Sequence, residues 1–453
     1  MSPQRNREAD VVVVGLGPGG EAAATELAGA GLRVVAVDRR LVGGECPYYA
    51  CVPTKMAVRA ADALGEARRV GGLAGAADVT PDWSPVAARI RQEATDDWDD
   101  RVAVERLEKA GVEFVRGHGR LAGPRVVEVD EHRITARRGV LLDTGTEPSV
   151  PPVDGLAGTP YWTNREAVRA DRLPETLLVL GGGPVGVELA QVFARFGVEV
   201  TLLEVADRIL APEEPEASQV VTEALGRDGV RMLTGVRVDA VEHADSGFTV
   251  RAGEQVVHGE RLLVATGRRP NLADIGLETV GLDPEAPSIE VDGHLRAADG
   301  LWAIGDITGK GAFTHVSMYQ SGIAVQDILG RDGTSARYHA VPRVTFSDPE
   351  VGAVGMTERQ AREDGLAVRV GTTDLGSSAR GWIGRAEGLV KLVEDADRGV
   401  LVGATSVGPS GGEVLSMLAT AVHAEVRTAT LASMIYAYPT FHRAVEDALK
   451  RLR

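Results

Sequence analysis

Two stretches of the chain repeat one order of apolar and polar positions. In DVVVVGLGPGGEAAATELAGAGLRVVAVDRR, residues 10–40, the β-branched run Val11 to Val14 predicts a buried strand. The chain then enters a glycine turn, leaves it as an Ala- and Glu-rich helical stretch, and reaches a second buried strand, Val34 to Val37, ending at Asp38. The order returns in LLVLGGGPVGVELAQVFARFGVEVTLLE, residues 177–204, whose second strand ends at Glu204. Both read as strand-turn-helix-strand units of an α/β fold. Elsewhere, MAVRAADALGEARRV has helical apolar spacing, so Cys51, just before Val52-Pro53-Thr54-Lys55, precedes or begins a helix. No segment reaches the roughly 18 consecutive apolar residues that cross a bilayer.

The turns carry the chemistry of these units. Gly15, Gly17 and Gly20 fit G-x-G-x-x-G, as do Gly181, Gly183 and Gly186. In that device the first glycine makes the turn and the second lets the backbone approach a pyrophosphate. The third packs helix on strand, while the helix N-terminus offers partial positive charge to the phosphates. A carboxylate ending the second strand can take ribose hydroxyls; Asp38 and Glu204 both lie 23 residues after the first glycine of their copy. One such match among 55 glycines is weak. Two matches, each in its strand-helix context with its acidic end, predict two dinucleotide sites and disfavour two ligand-free α/β units. A carboxylate at Glu204 accepts from a free 2′-hydroxyl and repels a 2′-phosphate, which favours NADH over NADPH. Arg208 is the one nearby residue that keeps NADPH open.

A chain of 453 residues suggests about three domains and can bury cores without disulfide support. Its net charge of −16 argues against a nucleic-acid binder. The opening MSPQRNREAD lacks the basic-then-apolar run of a signal peptide, and the expectation is a soluble cytoplasmic protein without a membrane partner. The only two cysteines, Cys46 and Cys51, share the segment GGECPYYACVPTK. Four residues separate them, about one tight turn, so the sulfurs could meet. A staple across so short a loop constrains the unfolded chain little. A zinc site needs more ligands than are near, since the closest histidine in sequence is His118. The pair therefore reads as chemical.

Together these features resemble the flavoprotein disulfide reductases, in the branch that includes dihydrolipoamide dehydrogenase and mercuric reductase. The resemblance extends over nearly the whole chain. LLVATGRRPN, Leu262 to Asn271 and including Gly267, is similar to the strand returning from a nicotinamide to a flavin domain. LWAIGDITG resembles a second flavin-binding motif, with Asp306 placed for the ribityl hydroxyls. VPRVTFSDPEVGAVGMTE resembles the opening of a dimerisation domain. The resemblance implies two Rossmann-like domains, for FAD and NAD, plus a C-terminal α+β dimerisation domain. The expected segments are an FAD domain over 1–150 and 269–340, a nicotinamide domain over 151–268, and an interface domain over 341–453 of a homodimer.

Carried onto these positions, the first turn binds FAD and the second NAD(P)H. Cys51 lies against the flavin, Cys46 faces substrate, and Lys55 pairs with Glu188. Electrons would pass from NADH through FAD to a Cys46–Cys51 disulfide and on to a disulfide or other small electrophile. The alternatives are direct flavin transfer to quinones or dyes, and a docking subunit of a multienzyme complex.

The sequence departs from the family at one conspicuous place. Dihydrolipoamide-type members end in His-Pro-Thr with a Glu five positions after the His. Here IYAYPTFHRAVEDAL puts Tyr438 at the histidine and Arg443 at the glutamate. Three substitutes are open. Tyr438 can act as a weak acid, although a phenol is a poor base at neutral pH. His442 can be recruited if the segment is helical, and Arg443 can steady a thiolate while water moves the proton. Mercuric reductases also resemble this chain in carrying tyrosine there, but they usually add a C-terminal cysteine pair that is not found here, so mercury transfer is not expected. Asp143 stands where relatives usually have the Ala of Ala-Thr-Gly, a change that a strand end tolerates without function. Tyr48 and Tyr49, between the cysteines, either shape the substrate face or pack beside the flavin.

Overall fold

In the computed structural model, which describes residues 5–453, the chain forms two compact units. The first contains residues 5–54, Ala88–Ser149 and Arg268–Tyr338. Its sheet places Leu301–Ala303, His132–Leu142, Arg5–Val14, Val34–Asp38 and Glu113–Arg116 side by side in that order, with every neighbour parallel. Arg296–Ala298 extends one edge antiparallel.

The unbroken apolar run of the first strand has a simple cause, because both faces of the sheet are covered. Val11 and Val13 pack with Ala23, Ala24 and Leu27 of the helix Pro18–Gly29. Val12 and Val14 face the other way, onto Val127, Val129 and Ile134. The register from Val11↔Val34 to Val14↔Val37 leaves Gly15 and Asp38 at the carboxyl ends of adjacent strands. Ligands of open parallel sheets bind at that edge.

The second unit contains Lys55–Ala87, Val150–Gly267 and His339–Arg453. Four parallel strands run in the order Arg231–Leu233, Glu199–Leu203, Thr176–Leu180 and Arg261–Val264, beside the helix Pro184–Arg195. A three-stranded antiparallel meander spans Ala240–Gly259. The C-terminal part is a five-stranded antiparallel sheet packed on the helices Gly411–His423 and Arg443–Leu449 through Leu415, Leu418, Val445 and Leu449. The whole is the expected α/β architecture.

Two buried cations tie distant segments of this unit together. The Arg195 side chain is 2% exposed and meets Asp62 at 2.9 Å, Asp228 at 2.9 Å and Asp348 at 2.7 Å. Lys391, 3% exposed, meets Glu214 at 2.9 Å, Glu216 at 2.8 Å and Glu358 at 3.0 Å. Each buried charge is fully surrounded by opposite charge, the condition under which burial is tolerated. Among the described residues, no helix is long and apolar enough to cross a membrane.

Candidate functional site

The first glycine turn follows the strand Arg5–Val14. Gly15 has φ of 93°, and a Cβ there would lie 2.2 Å from the carbonyl oxygen of Asp143, so only glycine fits. Gly17 is the extended residue before the helix, Pro18 is its first helical residue, and a Cβ on Gly20 would strike the Gly15 carbonyl at 2.2 Å. Asp38 closes the next strand with both oxygens engaged. Oδ2 accepts the Leu16 amide at 2.7 Å and Oδ1 accepts the Arg40 amide at 2.7 Å. Burial raises its carboxyl above the usual value, against the pull of those two amides. Asp306, in the turn Gly305–Thr308, accepts the Thr146 hydroxyl at 2.6 Å, and the Thr146 oxygen in turn accepts from Arg268 Nε at 2.7 Å.

The same unit carries the cysteines. Cys46 lies in the short helix Glu45–Tyr48, and Cys51 is the first residue of the helix Cys51–Arg69. Both are half-buried thiols. Cys51 Sγ lies 3.5 Å from Thr314 Oγ1. The Cys46 thiol is pushed far up, first by its hydrogen bond with Cys51 and then by burial, while Thr314 works the other way. Tyr48 is buried, and its phenol is pushed up to about 12 by burial and then by Asp100 and Glu21. Trp98 Nε1 donates to its main-chain carbonyl at 3.0 Å.

In the second unit the turn is repeated closely. Gly181 has φ of 109° and a Cβ there would lie 2.4 Å from the Ala265 carbonyl oxygen. A Cβ on Gly186 would lie 1.9 Å from the Gly181 carbonyl, while Gly183 has open space on that side. Glu204 accepts the Gly182 amide at 2.5 Å and the Ala206 amide at 2.7 Å. Gly267, with φ of 116°, ends the run Ala265-Thr266-Gly267 after the strand Arg261–Val264. Arg208 donates to the carbonyls of Leu210, Ala211 and Glu213 at 3.1, 2.7 and 2.8 Å. Its guanidinium thus turns three of its five N–H donors to its own loop.

Lys55 comes one helical turn after Cys51 on the same helix. Its Nζ lies 2.6 Å from Glu188 Oε2 and 4.6 Å from the Phe346 ring centroid. Glu188 is 4% exposed, and its other oxygen accepts the Phe346 amide at 2.9 Å. Phe346 drew no notice in the sequence, although it belongs to the segment read as the start of the dimerisation domain.

The C-terminal departure has a different shape from the helical reading. The chain turns at Tyr438-Pro439, and the helix begins only at Arg443, so Tyr438 and His442 do not share a helix turn. The His442 ring instead lies toward Tyr436, with centroids 6.0 Å apart. Tyr438 is 71% exposed, with the Arg443 guanidinium 5.5 Å from its ring centroid. Arg443 also meets Glu446 at 3.1 Å. The structure thus joins Cys46 with Cys51, Lys55 with Glu188, and each turn with its carboxylate, and leaves Tyr438 on the surface.

Both turns fit a dinucleotide: the first and third glycines of each admit no side chain, and the amides of a helix start stand beside a strand-end carboxylate. Among the described residues, no group of three or more His, Cys, Asp or Glu side chains is arranged to hold a metal ion.

Residues 9–321 match the pyridine nucleotide-disulphide oxidoreductases, and residues 341–449 match the dimerisation domain of the same proteins. A dihydrolipoyl dehydrogenase of Thermus scotoductus is 32% identical over 98% of this chain and 97% of its own length. A mercuric reductase of Staphylococcus aureus is 30% identical over 91% of this chain and 76% of its own. Among solved structures, the HOCl-induced flavoprotein disulfide reductase RclA of Escherichia coli matches with a TM-score of 0.85 at 26% identity, over 97% of this chain and 99% of its own. LpdA of Mycobacterium tuberculosis gives a TM-score of 0.85 at 27% identity, over 98% and 99%.

Proposed function

The chain belongs to the pyridine nucleotide-disulphide oxidoreductase family, and from that premise we propose that it reduces a disulfide or other small electrophile through Cys46 and Cys51 at the expense of NADH. It is an FAD-dependent enzyme of a family that uses FAD with NAD(P)H. FAD, when bound, carries the electron pair between nicotinamide and cysteines. For a disulfide acceptor the balance is NADH, one proton and the disulfide going to NAD+ and two thiols.

The observation that carries this reading is the cysteine pair itself: the only two cysteines of the chain, hydrogen-bonded to each other, with one of them opening a helix. A helix start favours a thiolate at Cys51, as does a lysine one turn on. Lys55 is held in place by Glu188 and Phe346. Cys51 therefore takes the flavin side and Cys46 the acceptor side. Gly15, Gly17 and Gly20 receive the FAD pyrophosphate, Asp38 its ribose and Asp306 its ribityl chain. Gly181, Gly183, Gly186 and Glu204, with Gly267 behind them, receive NADH. Glu204 and the self-occupied Arg208 both count against a 2′-phosphate.

The enzyme works as a homodimer through residues 341–449, with Tyr438 reaching the acceptor side of a partner's cysteines as a hydrogen-bond donor in place of the usual base. A cytoplasmic location suits a disulfide that cycles.

Four measurements test this reading. Two-electron reduction should raise a long-wavelength absorbance band that Cys51→Ser abolishes, and its survival would remove Cys51 from the flavin side. Cys46→Ser should stop turnover; full activity would move the function to direct transfer from flavin to quinones or dyes. NADH oxidation is then screened against lipoamide, small disulfides, quinones, mercuric ion and Cu(II), the last because RclA has been solved as a Cu(II) complex. Weak lipoamide turnover is expected, since Tyr438 and Arg443 replace the usual base and its partner. Copurification with a lipoyl-bearing protein would point instead to a docking subunit.

A further inference from the structure

Asp143 lies at the end of the strand His132–Leu142 and is 6% exposed. Its Oδ2 accepts the backbone amide of Gly20 at 2.7 Å, which is the third residue of the helix Pro18–Gly29. Its Oδ1 lies 3.4 Å from the Ser317 hydroxyl. Three glycines make room for it. A Cβ would come within 3.1 Å of the carboxyl at Gly17, 3.1 Å at Gly20 and 2.3 Å at Gly305. The carboxyl therefore lies between the first glycine turn and the segment Gly305-Asp306, the two parts of the FAD site proposed above.

The second turn shows what this position is without the acid. Ala265 there plays the backbone part of Asp143, with its carbonyl beneath Gly181 as that of Asp143 is beneath Gly15. Ala265 has no polar side-chain atom to offer Gly186, and Gly183 faces open space where Gly17 faces a carboxyl oxygen. The second glycine is the point at which a pyrophosphate approaches the backbone. An acid has thus been added on the phosphate-facing side of one turn only.

We propose that Asp143 makes FAD retention pH-dependent in this chain: its neutral carboxyl lies beside the pyrophosphate at Gly17, and its ionised form repels that dianion. The surroundings favour the neutral form. Burial dominates and raises the carboxyl well above its ordinary value; the Gly20 amide and the Ser317 hydroxyl oppose this more weakly. The charged groups that bear on it are themselves carboxylates, Asp306 from the turn Gly305–Thr308 and Asp38 from the end of the strand Val34–Asp38. From the helix Thr314–Ile328 come only the neutral Ser317 and Gln320, the latter accepting the Gly305 amide at 2.6 Å. Asp143 is a positioning residue for the flavin and does not take part in electron transfer.

This inference rests on the assignment of the first turn to FAD. The test follows release of FAD fluorescence from the holoenzyme between about pH 6 and about pH 9, for the wild type, Asp143→Asn and Asp143→Ala. Asn keeps an acceptor for the Gly20 amide without a titratable group, and Ala restores the residue of the second turn. The wild type should lose FAD more readily as pH rises, by up to about tenfold per unit once the carboxyl ionises. Both variants should give flat profiles. Far-UV circular dichroism at saturating FAD checks that each variant is folded, and Asn serves if Ala is not. Parallel slopes in all three proteins would overturn the role of Asp143. Unchanged flavin release with an altered NADH KM in Asp143→Ala would overturn the assignment of the turn instead.

Discussion

The two glycine turns are nearly the same piece of backbone put to different use. Each has a first glycine at positive φ over a carbonyl, a proline opening a 12-residue helix, and a strand-end carboxylate holding two amides. They differ in where a second acid stands. The first turn has Asp143 beneath it and Ala22 on its helix; the second has Ala265 beneath it and, at the helix position matching Ala22, Glu188. One acid is buried against the phosphate-binding backbone, and the other points to Lys55 at 2.6 Å. The shared turn is thus accompanied by an acid in each copy, placed differently, and the proposals made above for Asp143 and Lys55 rest on that difference.

The largest effects should come from closing each turn. A Cβ on Gly20 or Gly186 would strike a carbonyl oxygen at 2.2 or 1.9 Å with no room to retreat. Gly20→Ala should purify without flavin. Gly186→Ala should keep its flavin and lose NADH turnover by about 100-fold, near 3 kcal/mol of binding. If either variant lost both ligands while staying folded, the two turns would not be independent sites.

Next in size is the acid of the second helix. Glu188→Ala removes a buried carboxylate from Lys55, whose side chain is 34% exposed and can recover water. A stability loss of about 1–3 kcal/mol is expected by denaturant titration, below that of a fully buried pair. A loss under about 0.5 kcal/mol would make the pair incidental to folding.

The acid of the first turn should instead show itself through pH. The folded-state carboxyl of Asp143 is raised above the unfolded 3.8, so the native state keeps a proton that the unfolded chain releases. Its penalty is absent below that unfolded value and grows as pH rises toward the folded one. Asp143→Asn should therefore gain Tm over wild type by about a few degrees at neutral pH and nothing in acid. A constant offset between the two at every pH would refute the raised carboxyl.

The smallest effect tests the shared strand-end acids. Glu204→Gln should raise the NADH KM about tenfold, the worth of one charge-assisted hydrogen bond, and narrow the gap to NADPH. Asp38→Asn should leave that KM alone and loosen FAD. Steady-state kinetics with both nucleotides reads the contrast directly.

Much of this was legible in the chain because it is local. The strand runs, the turns and their carboxylates all lie within a span of about 30 residues, where spacing and turn chemistry act together. Asp143 was not legible. At the end of a strand it looks like a tolerated change, and its burial arises from Gly20, Gly305 and Ser317, which folding brings in from remote parts of the chain. Arg208 was readable as a cation but not as one that turns three of its five N–H donors to carbonyls of its own loop. The spacing of Tyr438 and His442 suggested a shared helical face, but the chain turns at Pro439 and starts its helix five residues after Tyr438.

Because Cys46 and Cys51 are the only sulfhydryl groups of the chain, counting its thiols is a direct test of whether the two form a disulfide. A maleimide or dithiobis reagent has no background site to label. Under denaturing conditions a disulfide between them would read zero and two thiols would read two, so a mass shift on whole protein from cell extract would report the state of the pair at the moment of quenching.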